Sequence, residues 1–446
     1  MIFKHFSAVG VFGYLDFDIK FNTDISFLVG GNGSGKTTAL KLINALSNPS
    51  FKELLQIPFT SMSLVMGEDG REVTIFANEN DGTIELGVST INEKLALPSY
   101  SDIEFEYYSN HAEKLDELIS DINRKFSDHE VVQEISNIQS PIFLGLERRR
   151  EGGNRSKEDY FFEREMWMRT ANKRAMAARR LIKGSLGVSL METELLVQNS
   201  YKRLRELEDR QSNKLRDSIL LSAFEYSSLK PESLKPDFRF WKEKSGLLER
   251  QREIKDALTK IGVKDSKLSV EVDSFFDELT ELFEHLKESG EEFSLEWLLN
   301  KAQIDRMVKI VDIIDEHKNK VDELFKPINE FLETINDFYA DSNKYIEIDP
   351  VGQLAVKRPN GKKCTIEGLS SGERQLLVIF AHAYFNKRER RNTVFIIDEP
   401  ELSLHLRWQE KFAETIFKIS PKSQFILATH SPEIVGVNKN KSVKCR

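Results

Sequence analysis

Cysteine is scarce: Cys364 and Cys445 are the only two in 446 residues. Two thiols cannot build a disulfide framework, so a reducing compartment is the natural setting. No stretch approaches the roughly 18 consecutive apolar residues of a membrane span, and the first residues lack the cationic-then-apolar order of a secretory signal. No membrane partner and a cytoplasmic location are therefore expected. What is abundant is length and charge. The chain exceeds a single ordinary core and should form two domains, or one domain carrying a large insertion. Charged residues make up 30% of it, with a formal net of -8.

Residues 30–37 read Gly-Gly-Asn-Gly-Ser-Gly-Lys-Thr, and Gly30, Gly35, Lys36 and Thr37 fit the phosphate-binding pattern G-x-x-x-x-G-K-[ST]. The apolar run Ile25 to Val29 predicts a buried strand before it. Leu40, Ile43 and Leu46 have helical spacing in the residues that follow Thr38. Such a loop turns backbone N–H groups toward an anion at a helix N-terminus. Asn32, Gly33, Ser34 and Thr38 complete the predicted phosphate cradle. Lys36 would neutralise the outer phosphates of a nucleotide, and the Thr37 hydroxyl would ligate Mg²⁺. Further on, Val394 to Ile397 predicts a strand that ends in Asp398 and Glu399. Carboxylates at a strand's C-terminal end sit where open α/β sheets place ligands. Asp398 suits Mg²⁺, and Glu399 suits the polarisation of an attacking water. Between these motifs, Leu369-Ser370-Ser371-Gly372-Glu373 precedes an apolar helical run and predicts an N-cap with exposed N–H groups, a second anion site.

The order of these motifs resembles the RecF, SMC and OLD-like branch of the ABC ATPases, in which a large helical insertion separates the phosphate loop from the later motifs. The resemblance implies an ATPase using ATP and Mg²⁺. It also implies that Ser370, Ser371, Gly372 and Glu373 form a signature that caps ATP on a second copy, so that head dimerisation completes the active site. By the same resemblance Glu401 to His405 matches the D-loop, His430 matches the switch histidine that senses the γ-phosphate, and Gln139 is the candidate glutamine-loop residue near the metal. The opening stretch through Tyr14 to Phe21 resembles the family's first β-hairpin, close to the adenine.

The rest of the chain falls into three parts. Strand-like runs at Ser63–Met66, Glu72–Phe76, Thr83–Val88 and Ile103–Tyr108, separated by Asp69-Gly70 and Asp81-Gly82, predict an antiparallel β lobe. From about residue 150 to 342 helical signals dominate. Apolar residues from Ile304 through Val311, Ile314, Val321, Phe325, Ile328 and Ile335 to Tyr339 recur at steps of three and four, a heptad seam on a helix on the order of 50 Å long. Lys318 interrupts it, and Pro327 predicts a kink or a break near Phe325. Either a protruding antiparallel hairpin or a long core helix fits this pattern, with Leu204 to Leu221 as a partial partner seam. A basic run from Arg148 to Lys183, including Arg149, Arg150, Arg179 and Arg180, could face DNA or RNA phosphates, or solvent and the acidic stretch 271–296.

The expected architecture is an α/β, ABC-type P-loop ATPase head, a mixed sheet plus an antiparallel β lobe, carrying a large, partly coiled-coil helical insertion. Residues 1–147 and 343–446 form the head and 148–342 the insertion. The chain stops at Arg446, soon after His430, so the nuclease domain of OLD proteins is not expected, and no intrinsic nuclease activity with it. The resemblance is then greatest to the stand-alone ATPase subunit of paired anti-phage systems of the Septu or PARIS type, with a separate effector, a nuclease, as partner. A RecF-like DNA-repair ATPase and a transporter-type ATPase are the competing classes.

Overall fold

The computed structural model describes residues 2–48, 51–68, 70–99, 112–138, 140–145, 185–223, 245–260, 266–288, 295–386 and 393–445. The chain divides into two compact units, Met1–Gln198 with Phe331–Arg446, and Asn199–Glu330.

In the first unit, strands β1 (Ile2–Val11), β2 (Leu15–Lys20), β4 (Ser61–Glu68), β5 (Arg71–Asn80), β6 (Thr83–Val88) and β7 (Lys94–Pro98) form an antiparallel sheet in the order β2-β1-β4-β5-β6-β7. The predicted runs at Ser63, Glu72 and Thr83 lie in β4, β5 and β6. The strand β7 carried no recognised signal, while Asp69 and the expected strand Ile103–Tyr108 lie outside the described residues. Asp81 and Gly82 both have positive φ, 47° and 76°, the conformation a tight two-residue hairpin requires.

A second sheet is parallel among its described strands: β14 (Ser442–Lys444), β3 (Ile25–Val29), β13 (Gln424–Ala428), β12 (Val394–Asp398) and β8 (Ile142–Gly145), in that order. Parallel and antiparallel strands are thus both present, divided between sheets. The inner strands β3, β13 and β12 are largely apolar on both faces, as strands covered on both sides must be. Their alternate residues go to different cores: Ile396, Ile426 and Leu28 join the β lobe and the helix Lys36–Ser47, whereas Phe395, Ile397, Phe425 and Phe27 join the helices Ser371–Phe385 and Leu406–Ile419. The Gln424 side chain bonds the two sheets together, accepting from Phe3 N at 2.7 Å and donating to Phe3 O at 2.8 Å and Asn22 O at 2.7 Å. A small antiparallel sheet, β11 (Lys363–Cys364), β10 (Leu354–Lys357) and β9 (Tyr345–Ile348), precedes the signature.

The second unit is helical. Its core gathers Leu215, Ile254, Phe276, Ile304, Val311 and Ile314. Tyr201 meets Phe325 edge-on at 6.2 Å, while Leu215, farther along the same helix, joins the cluster around Ile304 to Ile314. The helices Ser185–Ala223 and Leu295–Tyr339 therefore run in opposite directions here. Arg250 ties Glu253 and Asp315 together, and Lys255 pairs with Asp273 of the acidic stretch. The basic run Arg148 to Lys183 lies outside the described residues.

Two expectations change. No break occurs near Phe325, because the 45-residue helix Leu295–Tyr339 continues through Pro327. Proline removes one N–H donor at an exposed position, and the apolar anchors on either side, Ile314 in one core and Phe331 in the other, hold the helix together. The heptad seam is also not one surface. Phe331, Ile335, Phe338 and Tyr339, with Leu190 and Val197, belong to the core around the helices Ser371–Phe385 and Leu406–Ile419, so residues 185–198 and 331–342, predicted as insertion, fall in the first unit.

Candidate nucleotide-binding site

Strands β3, β13 and β12 are adjacent and parallel, so the segments leaving their C-terminal ends converge. These segments are the phosphate loop, the stretch Thr429-His430-Ser431, and Asp398-Glu399. The loop's turn into the helix Lys36–Ser47 depends on Gly35. Its φ is 86°, and a Cβ there would lie 2.7 Å from the Phe17 ring of the opening hairpin. Glycine is required on both counts.

Lys36 is only 5% exposed. Its Nζ donates to Gly30 O at 2.9 Å and lies 2.6 Å from His430 Nε2. An ammonium can only donate, so this contact calls for an unprotonated Nε2. Burial pulls the Lys36 amine below its ordinary value, opposed by Cys445, Glu399, Asp398 and Glu401. Cys445, beside the loop at the end of β14, is itself pushed up to about 11 by burial.

Asp398 shows the opposite condition. Burial raises its pKa, Glu399 and Glu401 raise it further, and Thr37 and Lys41 oppose the shift. Its Oδ1 is buried with no hydrogen-bond partner. A hydroxyl and a carboxylate are the hard oxygen donors a magnesium ion prefers. The orphaned Oδ1 beside Thr37 therefore fits Mg²⁺.

Glu399 follows in the left-handed region, φ 48°, its N–H bonded to Ala428 O at 2.9 Å. A non-glycine residue held there is strained and needs its surroundings to fix it. Glu401 then crosses to the neighbouring segment, accepting from Thr429 Oγ1 at 2.8 Å and from His430 N at 2.6 Å. Gln409 makes a second crossing, donating to Leu404 O at 2.9 Å and accepting from Ser431 Oγ at 2.7 Å.

The structure thus brings together Lys36, Thr37, Asp398, Glu399 and His430 around the loop Gly30, Asn32, Gly33, Ser34 and Gly35. Gln139 lies outside the described residues. His405 is an exposed N-cap of the helix Leu406–Ile419. The signature packs elsewhere within the chain. A Cβ on Gly372 would lie 2.2 Å from Ser403 O, and Gln375 donates to Pro400 O at 2.9 Å. Glu373, expected in the signature, is turned into its own chain. It is 2% exposed, and its carboxylate accepts from Ser370 N at 2.6 Å, Ser342 Oγ at 2.8 Å and Lys344 Nζ at 2.7 Å. Those donors occupy it, so Glu373 holds the signature turn in shape. The Ser-x-x-Glu spacing of a capping box was the readable signal. Gln375, Gln409 and the Glu401 crossing had none, because their partners are remote in sequence or lie on backbone.

The family described as AAA ATPase domain (AAA_15) matches residues 13–435. The chain belongs to that family. Shorter stretches resemble two curated proteins: the Retron Vc95 probable ATPase of Vibrio cholerae serotype O1 biovar El Tor, 33% identical over 95 residues, 19% of this chain and 18% of the relative; and the Endonuclease GajA of Bacillus cereus (strain VD045), 35% identical over 66 residues, 14% and 11%. The matches span less than a fifth of either relative's length. Among solved structures, the Smc head domain with an extended coiled coil from Pyrococcus furiosus, bound to the C-terminal domain of ScpA, aligns at 13% identity and a TM-score of 0.41, covering 100% of this chain and 94% of the other. The SMC head domain from Thermotoga maritima aligns at 11% and 0.36, covering 98% and 91%. No helix among the described residues is long and apolar enough to cross a membrane.

Proposed function

We propose that this ATPase binds and hydrolyses ATP with Mg²⁺, and that nucleotide-driven association of two heads controls a separate effector, a nuclease in bacterial anti-phage defence. The convergence of Lys36, Asp398, Glu399 and His430 at one edge of the parallel sheet carries the reading. Lys36 neutralises the outer phosphates, Glu399 orients and polarises water toward the γ-phosphate, and His430 senses that phosphate from the opposite loop. Thr37 and Asp398 would hold Mg²⁺, which supplies charge neutralisation to the phosphates when bound. Ser370 and Ser371, both exposed, are free to face ATP on a second copy, and the motif order of the RecF, SMC and OLD-like branch supports that use.

The defence assignment, of Septu or PARIS type, is supported by motif order and by short likenesses to a retron's probable ATPase and to an endonuclease. Hydrolysis is tested with Glu399→Gln, which keeps the site's shape and removes the water-polarising carboxylate. ATP binding should persist while turnover falls, and near-normal turnover would overturn the assignment. A Ser370→Arg chain and a Lys36→Ala chain, each inactive alone, should recover partial turnover on mixing if sites are shared. No recovery despite demonstrated mixed dimers counts against shared sites. For the effector, the purified chain is assayed on DNA and RNA with ATP and Mg²⁺. Robust cleavage that disappears on mutation of this chain would sink the separate-effector reading, whereas stimulation of turnover by DNA alone would favour a RecF-like role.

A further inference from the structure

Two loops that leave neighbouring strands must keep a fixed separation if Glu399 and His430 are to act on one phosphate. Glu399 belongs to the turn after β12 and His430 to the segment after β13. One side chain spans the gap with two hydrogen bonds. Glu401 Oε2 accepts from Thr429 Oγ1 at 2.8 Å, and Oε1 accepts from His430 N at 2.6 Å. Both donors meet a group that only accepts, with one oxygen for each, and hydrogen bonds to an ionised acceptor are the stronger kind. Thr429 is 1% exposed, so its hydroxyl has little access to water as an alternative partner.

We propose that Glu401 is a positioning residue for the hydrolytic reaction, gripping the Thr429–His430 peptide so that the imidazole stands at the phosphate end of the loop. The proposal rests on the reading of His430 as the γ-phosphate sensor. Three features of the geometry support it. The His430 ring reaches Lys36 Nζ at 2.6 Å, so the residue whose backbone Glu401 holds is the one that meets the phosphate-loop lysine. Glu401 lies on the same turn as Glu399, whose backbone is held at φ 48° with its N–H on Ala428 O; the grip therefore ties the turn that carries Glu399 to the segment that carries His430. Gln409 joins the same two segments independently. Loss of Glu401 should accordingly loosen His430 without releasing the whole segment, and the effect should appear in the chemical step more than in folding.

The chemistry also predicts which substitution rescues. Glutamine keeps Oε1 as an acceptor for His430 N and turns the other prong into a donor, which Thr429 Oγ1 can accept by rotating its hydroxyl. The hydrogen bond to His430 N survives, whereas the Thr429 contact survives only in reverse, with Oγ1, which also accepts from Ser431 N at 3.0 Å, left to find another acceptor for its own proton. Alanine loses both.

The test measures steady-state ATPase activity of the full chain with Mg²⁺ for Glu401→Ala, Glu401→Gln, Thr429→Val, His430→Ala and the Glu401→Ala/His430→Ala double variant, with circular dichroism and thermal unfolding of each. Glu401→Ala should lower kcat by about tenfold or more. KM for ATP should stay within about twofold of wild type, because Lys36 and the loop are untouched. Glu401→Gln should recover part of kcat, and Thr429→Val, which also takes the acceptor from Ser431 N, should lower kcat as well. In the His430→Ala background, Glu401→Ala should lower kcat little further, because a residue acting through another is not additive with it. An equal further loss in that background, or a glutamine variant as impaired as alanine, would overturn the proposal. Unchanged kcat in Glu401→Ala while His430→Ala is impaired defeats the proposal alone. Unchanged kcat in His430→Ala defeats the sensor reading and the proposal with it. Should Glu401→Ala fail to fold, the same cycle run with Thr429→Val and His430→Ala decides.

Discussion

Asp398 and Glu373 are both acidic residues in predicted ATP-handling motifs, and the fold treats them in opposite ways. Glu373 is buried with donors from Ser370, Ser342 and Lys344 on its oxygens. Burial alone would raise its pKa, but these partners outweigh that and hold it below the ordinary carboxylate value. Asp398 is also largely buried, yet its Oδ1 has no partner and its neighbours Glu399 and Glu401 add repulsion, so its pKa rises. The first carboxylate is completed by its own chain. The second has Thr37 beside it but an Oδ1 that its own chain leaves without a donor, a condition that suits a ligand site better than a structural polar knot.

The largest expected effect separates the incomplete region from everything else. Glu399→Gln should reduce turnover by about 100-fold or more while ATP still binds, and Lys36→Ala should weaken binding itself by removing the cation beside the outer phosphates. Equilibrium binding of a labelled nucleotide and phosphate release, measured on the same preparations, distinguish the two. If both variants lose binding equally, Glu399 shapes the site more than it serves the reaction.

Stability should invert the ranking. Glu373→Ala leaves Lys344, Ser342 and the Ser370 N–H without their acceptor, and because Lys344 is 21% exposed and can turn to water, the loss should be about 1–3 kcal/mol. Asp398→Asn removes a poorly compensated buried charge, so nucleotide-free stability should change by less than about 1 kcal/mol, in either direction. The stabilisation that added Mg²⁺ and ATP give to wild type should disappear in Asp398→Asn. Denaturant unfolding with and without Mg·ATP checks both. A large loss of nucleotide-free stability in Asp398→Asn would erase the contrast between the two carboxylates.

How much of this contrast could be read from the sequence depends on whether each interaction is local. The strands Ile25–Val29 and Thr83–Val88 have the predicted bounds, because an apolar run or a period-two alternation is written within the segment itself. The phosphate loop was legible for the same reason: strand, glycines, lysine and helix follow one another. The meeting of Lys36 with His430 joins residues 394 apart in sequence, and only the family resemblance, not any spacing, pointed to it. The Glu401 crossing and the surroundings of Glu373 depend on which loops the parallel sheet brings side by side. Residues 331–342 were misplaced for a similar reason. Their heptad spacing continues that of the helical unit, and nothing in the spacing tells that Phe331 and Tyr339 meet a different core.

A pH series extends the comparison to the signature helix itself. Burial drives His382 down to about 4 from an ordinary 6.5, and its Nδ1 lies 2.7 Å from Asn386 Nδ2. Between those two values the unfolded chain takes up a proton that the folded chain does not, so stability falls as pH falls, by about 3 kcal/mol in all from this residue. Glu373 acts lower: its contribution is complete above the ordinary carboxylate value of 4.5 and is lost as pH falls through the depressed folded value. Denaturant unfolding across this range should show His382→Gln flattening the limb between pH 6.5 and 4.5 and leaving the more acidic loss in place. Identical limbs in wild type and variant would mean that His382 titrates normally.

The smallest effect concerns Ser370, where the two kinds of region overlap. Its hydroxyl caps the signature helix through a long 3.4 Å contact with Glu373 N, while the stronger half of the capping box, Ser370 N to Glu373 Oε2 at 2.6 Å, uses backbone that any residue supplies. Ser370→Ala should therefore cost no more than about 1 kcal/mol of stability. Unlike Glu373, Ser370 is exposed, and a hydroxyl that also faced ATP on a second copy would affect turnover out of proportion to that cost. Turnover of Ser370→Ala followed over a range of protein concentration separates the two roles. A several-fold loss concentrated where heads associate supports a shared site. Wild-type turnover at every concentration would make Ser370 a helix cap like any other, and the signature segment structural throughout.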